Sequence, residues 1–185
     1  MNKPTSDLSL FTHQLHLSFV DKFKYACWLI LSNVFFLTNI PYPNFIKVFL
    51  LRLMGGKIGH GVVIKPWVKI KLPWKLAVGN HVWLGESCWI DNISEVNIGN
   101  HVCISQASLI LTGNHDYTLR SFDLMSKPIV IEDGVWLGAQ ATVVGGVTLR
   151  SHSVIGVGVN ILRDTEAYHV YRLNSDTQVK ERVIK

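Results

Sequence analysis

Five stretches, IGHGVVIKPWVKI (58–70), VGNHVWLGESCWI (78–90), IGNHVCISQASLI (98–110), IEDGVWLGAQATV (131–143) and LRSHSVIGVGVNI (149–161), align without a gap. Each has an aliphatic residue at its first, seventh and thirteenth places: Ile58, Ile64, Ile70; Val78, Leu84, Ile90; Ile98, Ile104, Ile110; Ile131, Leu137, Val143; Leu149, Ile155, Ile161. A period of six fits neither the 3.6 of an α-helix nor the 2 of a plain strand. It reads as a short strand, a turn, and another strand set at an angle, three of which close one triangular coil of 18 residues.

The residues between the aliphatic positions support the coil. Glycine follows at Gly59, Gly79, Gly85, Gly99, Gly138 and Gly156, where a corner favours a residue without a Cβ. Two places before each next aliphatic position come small or β-branched residues such as Val62, Cys88, Ser108, Ala141 and Ser153, suited to the second inward site of a narrow tube. The residue just before each aliphatic position points outward by alternation. One column of these is Val63, Trp83, Cys103, Trp136 and Val154; the next is Lys69, Trp89, Leu109, Thr142 and Asn160. Three outward tryptophans are too much apolar surface for solvent; the N-terminal segment could cover them, and subunit contact is the preferred expectation.

Hexapeptide repeats of this kind resemble the hexapeptide-repeat acyltransferases. That resemblance implies an all-β fold, a left-handed parallel β-helix of about five coils, assembled as a homotrimer with active sites at the subunit edges. The expected organisation is a mixed, helical N-terminal segment (1–56) packed on the β-helix, the β-helix itself (57–166), and a C-terminal tail (167–185).

The repeat is interrupted once. Coils begin at 58, 78, 98, 131 and 149, so one step is 33 residues where its neighbours are about 20. A loop over 112–128 therefore leaves the scaffold, a place where function concentrates. It opens T-G-N-H-D-Y (112–117), and His115 is its only histidine. An imidazole there can take a proton from a hydroxyl group near neutral pH. His60, His81, His101 and His152 fall at repeat corners and read as ordinary turn residues.

The resemblance narrows through F-L-L-R-L-M-G-G-K-I-G (49–59), P-W-K-L (73–76), I-S-Q (104–106), T-G-N-H-D (112–116) and K-P-I-V-I (127–131). These are similar to the colanic acid biosynthesis acetyltransferase group, which belongs with the galactoside and maltose O-acetyltransferases. It implies that His115 deprotonates a sugar hydroxyl, which attacks the thioester of acetyl-CoA, with no metal required. Asp91 and Asn92, at the corner one coil earlier, with Asn114 and Asp116 beside the base, are the expected acceptor or oxyanion contacts. The galactoside enzymes carry an asparagine where this chain has Gly85. The resemblance places the pantetheine arm of CoA at Gly138, Ala139, Gly156 and Val157 and its phosphates at Arg163. Lys180 and Arg182 are candidates for the 3′-phosphate, although the usual glycine-asparagine-proline turn is replaced near Tyr171, Arg172, Leu173 and Asn174. The expected acceptor is a sugar of exopolysaccharide, capsule or O-antigen biosynthesis, lipid-linked acceptors included. An acetyltransferase for an antibiotic or amino sugar, or a non-catalytic scaffold, would use the same repeat. No Walker A, G-x-S-x-G or dinucleotide fingerprint is present.

Composition places the protein. Cys27, Cys88 and Cys103 are odd in number with no metal-type spacing, which favours reduced thiols and a cytoplasmic protein; residues 1–20 do not read as a secretory signal. The uncharged run 25–40 is 16 residues, short of the roughly 20 that span a bilayer. The formal charge is +5, yet Lys47, Arg52, Lys57, Lys65, Lys69, Lys71 and Lys75 fall in a stretch without acids, and the remaining 11 basic and 13 acidic residues leave −2. This local belt argues against broad nucleic-acid binding. With the apolar run it predicts peripheral contact of 25–75 with the inner membrane face.

Overall fold

The computed structural model describes residues 5–11 and 18–173, together with the backbone of 180–181. Among the described residues two α-helices precede the repeats: α1 (Phe19–Phe35) and α2 (Asn44–Leu53). Helix α1 begins six residues before the uncharged run. Ser18 supplies the reason, since its hydroxyl accepts from Asp21 N and the Asp21 carboxylate accepts from Ser18 N.

Three strands make each coil. The first coil is β1 (Lys57–Ile58), β2 (Val63–Ile64) and β3 (Lys69–Ile70); the second is β4 (Leu76–Val78), β5 (Trp83–Leu84) and β6 (Trp89–Asp91). The third is β7 (Val96–Ile98), β8 (Cys103–Ile104) and β9 (Leu109–Leu111), after which β10 (Gly113–His115) and β11 (Leu124–Ser126) form an antiparallel hairpin outside the coil. The fourth is β12 (Ile129–Ile131), β13 (Trp136–Leu137) and β14 (Thr142–Val144); the fifth is β15 (Thr148–Leu149), β16 (Val154–Ile155) and β17 (Asn160–Ile161). Successive coils pair in parallel as three flat faces, in the register the repeat dictates: Val63, Trp83, Cys103, Trp136 and Val154 lie in one row. The fold is a left-handed parallel β-helix.

All fifteen repeat aliphatics are buried, none more than 7% exposed, and so are the ten small or β-branched residues two places before them. The side chains fill the prism, and no room remains for a pore. Trp83, Trp136 and Trp89 stay 53%, 49% and 38% exposed, so the N-terminal segment does not cover them. The coil also runs past residue 166, where the tail was expected: β18 (His169–Tyr171) pairs with β16 and starts a sixth turn, and β19 (Lys180–Glu181) pairs antiparallel with β18.

The corners separate two demands that the sequence pattern merges. A Cβ on Gly59 would sit 2.4 Å from Gly79 O, so close coil stacking excludes any side chain there. The left-handed turn itself falls two residues later, at His81, His101 and His152 with φ of 55–59°. The His81 and His101 rings stack 5.2 Å apart.

The open edge of the first coil is closed by the helices. Ile58 O accepts from the Arg52 guanidinium at 2.7 and 2.9 Å, Ile64 O from Lys47 Nζ at 3.1 Å, and Ile70 O from Trp28 Nε1 at 2.8 Å. Asn44 Oδ1 accepts from Ile64 N at 2.8 Å. Each of the three edge strands thus spends its outward carbonyl on an N-terminal side chain, which removes a template for edge-to-edge pairing.

Much of the basic belt is consumed in this architecture. Lys71 pairs with Asp91 at 2.8 Å, Lys75 Nζ donates to Ile93 O, and Lys65 and Lys69 lie over the Trp83 and Trp89 rings. With Lys47 and Arg52 bonded to edge carbonyls, Lys57 alone of the seven has no such contact among the described residues. Among the described residues no helix is long and apolar enough to cross a membrane.

Candidate active site

The hairpin is held to the scaffold at its root by a buried threonine. Thr112 Oγ1 donates to Asp91 O at 2.9 Å and accepts from Ser94 N at 3.1 Å, and Thr112 O accepts from Lys127 N. Ser94 and Ser126 bond hydroxyl to hydroxyl at 2.7 Å across the exit. The last residue of β10 is then His115, opposite Leu124.

The His115 ring is fixed on three sides. Its Nδ1 lies 2.8 Å from Phe122 O, and a carbonyl only accepts, so Nδ1 carries the proton and Nε2 keeps its lone pair. The Phe122 ring stacks on the imidazole at 4.4 Å and 9°. Phe11 approaches at 5.6 Å, tilted by 53°. Phe122 adopts φ of 52°, an uncommon conformation for a bulky side chain and of the kind found where function requires it. Residues 5–11 reach this place because Asp7 N donates to Arg120 O at 2.8 Å, with the Asp7 carboxylate 3.9 Å from the Arg120 guanidinium. Nothing in the sequence singled out Phe122 or Phe11. Thr112 stood at the head of the loop motif, and its hydroxyl was the signal left unread.

The other expected catalytic residues are mostly occupied elsewhere. Asn92 is 0% exposed; its amide Nδ2 donates to Leu72 O at 2.7 Å and its Oδ1 accepts from Leu72 N at 3.0 Å. It pins one coil to the next, and both of its polar atoms are used there. Asp91 is half-buried with its carboxylate on Lys71. Asp116 accepts from the Thr118 hydroxyl and backbone N–H, and those bonds hold its carboxyl below the usual carboxylate range. Asn114 accepts from His115 N and faces the opposite side of β10. The Asp116 contact is an Asx turn, which shapes the hairpin just beyond its histidine.

Gly138, Ala139, Gly156 and Val157 come together at one corner. A Cβ on Gly138 would lie 2.7 Å from Ile155 O and one on Gly156 2.9 Å from Tyr171 O, so coil stacking alone already requires both glycines. Gly85 lies in the same column, where a Cβ would meet Ser105 C at 2.6 Å; this chain has no space for an asparagine there without backbone movement. Val157 and Arg163 are exposed. The Lys180 backbone is in β19, and Arg182 lies outside the described residues. Among the described residues no group of three His, Cys, Asp or Glu side chains is arranged to hold a metal ion.

Known proteins bear on this geometry. No protein-family model matches the chain. It is 40% identical over 137 residues to the colanic acid biosynthesis acetyltransferase WcaF of Escherichia coli K12, covering 74% of this chain and 75% of that one. Its fold superposes on a hexapeptide-repeat containing acetyltransferase from Vibrio cholerae with a TM-score of 0.76, at 23% identity over 90% of this chain and 93% of that one. The maltose O-acetyltransferase of Clostridium difficile 630 gives 0.76 at 21% identity, over 91% and 90%. With the repeat register, the hairpin and its histidine in place, this level of identity and coverage puts the chain in the hexapeptide-repeat acetyltransferases, in the colanic acid biosynthesis acetyltransferase family.

Proposed function

We propose that the protein transfers the acetyl group of acetyl-CoA to a hydroxyl of a saccharide in exopolysaccharide, capsule or O-antigen biosynthesis, with His115 as the general base. The observation that carries this reading is the Nδ1–Phe122 O bond, which leaves Nε2 as the ring's only acceptor. In the forward direction Nε2 removes the proton of the sugar hydroxyl as its oxygen attacks the thioester carbonyl. The C–O bond forms, and the tetrahedral adduct collapses with cleavage of the C–S bond. The proton held on Nε2 leaves with the CoA thiolate, which restores the neutral imidazole. The positive charge that appears transiently on the ring faces the Phe122 carbonyl dipole at Nδ1, and the stacked Phe122 face favours the same cation.

Acetyl-CoA as donor is supported by a complex of the Vibrio cholerae relative with acetyl-coenzyme A, which superposes with a TM-score of 0.75 at 22% identity over 89% of this chain and 88% of that one. A homotrimer with the sites at subunit edges is supported by the outward tryptophan rows, which a side-by-side neighbour would cover. In that assembly the corner of Gly138, Ala139, Gly156 and Val157, with Arg163, is the candidate donor cleft, and Lys180 and Arg182 remain candidates for the 3′-phosphate.

The test is thiol release from acetyl-CoA against a panel of acceptors: simple glycosides, amino sugars, antibiotics and lipid-linked oligosaccharides. His115→Ala should fold and associate as the wild type while losing at least about 10²-fold in transfer. Turnover near the wild-type value would overturn the assignment of the base.

A further inference from the structure

The two N-terminal helices seal the first coil with one face and leave the other bare. On α1 the inward residues are Trp28 and Ser32, while Phe19, Phe23 and Ile30 point away; Phe19 is 86% exposed. On α2 the inward residues are Lys47, Leu50 and Leu51, while Phe45, Phe49 and Leu53, each four residues from the last, form an outward ridge, with Phe45 73% exposed. Helices of a water-facing end would carry polar residues at these places, and this much exposed apolar surface marks an interaction site.

Charge and position say what the surface meets. Between residues 19 and 57 there is a single acid, Asp21, engaged with Ser18; of the five cations there, Lys47 and Arg52 bond edge carbonyls and Lys24 lies over the Trp74 ring, which leaves Lys22 and Lys57 to the outer surface. Lys22, between Val20 and Phe23, is exposed and carries no ion pair among the described residues. The surface also sits at the end of the prism, because α1 and α2 bond the outward carbonyls of the first coil. The tryptophan rows lie on its sides. Copies packed through those sides about a common axis would turn their end surfaces in one direction, forming a plane.

We infer that the outer faces of α1 and α2 dock the protein on an anionic lipid bilayer, with the phenylalanines in the acyl boundary and Lys22 and Lys57 at the headgroups. The contact is made by the outer faces of 19–53 with Lys57 at their edge, and Lys65, Lys69, Lys71 and Lys75 contribute little to it because they are tied to the Trp83 and Trp89 rings, Asp91 and the Ile93 carbonyl. This deepens the acetyl-transfer reading, on which it rests only for the acceptor: an enzyme held there meets saccharides carried on lipid.

Cosedimentation with vesicles of phosphatidylglycerol and phosphatidylcholine, and with pure phosphatidylcholine, tests the inference without acetyl transfer, so it stands or falls separately from the choice of base. The expected result is binding to the anionic vesicles that weakens with salt. The paired variants Phe19→Ser with Phe23→Ser and Phe45→Ser with Phe49→Ser should each lower the partition coefficient at least about tenfold. Their thermal unfolding, oligomeric mass by light scattering and transfer to a soluble acceptor should stay unchanged. Absence of vesicle binding, or equal binding by the variants, overturns the inference. A fall in oligomeric mass in either variant also overturns it, since a second copy of the chain would then be what covers the face.

Discussion

Substituting Asn92 by alanine separates a structural role from a catalytic one. The side chain spans two coils, donating to Leu72 O at 2.7 Å and accepting from Leu72 N at 3.0 Å, and both residues are buried. Alanine removes both bonds and leaves a backbone donor and a backbone acceptor without partners in the interior. Each such group costs about 1–3 kcal/mol, and relaxation of the Leu72 turn recovers part of that. A net loss of about 3 kcal/mol follows, which for a chain of this size lowers Tm by roughly 6–12 °C. Asn92→Asp should be no better, because one carboxylate oxygen would face Leu72 O. The assay is thermal unfolding at fixed protein concentration and scan rate, paired with acetyl transfer per folded molecule well below the transition. Transfer should remain within about threefold of wild type. A variant that keeps its Tm within about 2 °C and loses transfer by about 10²-fold would refute the reasoning, since Asn92 would then act on the reacting groups.

Other outcomes follow from the same geometry. Phe122→Ala removes the ring stacked on His115 and leaves the backbone carbonyl, so kcat should fall about tenfold with little change in KM, and steady-state kinetics in both substrates would check it. Lys47 is buried, and desolvation pushes its pKa below the ordinary lysine value. The unfolded chain therefore binds more protons than the folded one in the window below pH 10.5, and stability should rise with pH there. Lys47→Met should flatten that rise in denaturant titrations at several pH values. Gly138→Ala forces a Cβ against Ile155 O and should cost about 1–3 kcal/mol, seen in unfolding rather than as a selective rise in KM for acetyl-CoA. Val157→Glu, on an exposed part of the same corner, should raise that KM several-fold while leaving Tm unchanged.

The contrast among these residues shows how far a sequence carries. In a narrow coil every sixth side chain must point inward, so Ile58 to Ile161 announce the prism, its register and the outward rows of Trp83 and Trp136 directly. The excursion was equally legible, because an insertion breaks a strict period, and a lone histidine in it is a chemically distinctive residue. Asn92, Asp116 and the lysine belt carry no such mark. Their chemistry suits catalysis or docking as well as it suits structure, and the choice depends on which backbone groups lie open beside them. Leu72 offered Asn92 a donor and an acceptor, Thr118 took up Asp116, and the bare carbonyls of Ile58 and Ile64 claimed Arg52 and Lys47. The outer faces of α1 and α2 show the converse. The sequence marked this segment only as apolar and next to a basic belt, and the packing of Trp28 and Leu51 against the first coil decided that Phe19, Phe45 and Phe49 face outward. Periodic burial is a property of the chain itself, whereas the pairing of polar groups and the exposure of a helix face are settled by neighbours distant in sequence, which only the tertiary structure supplies.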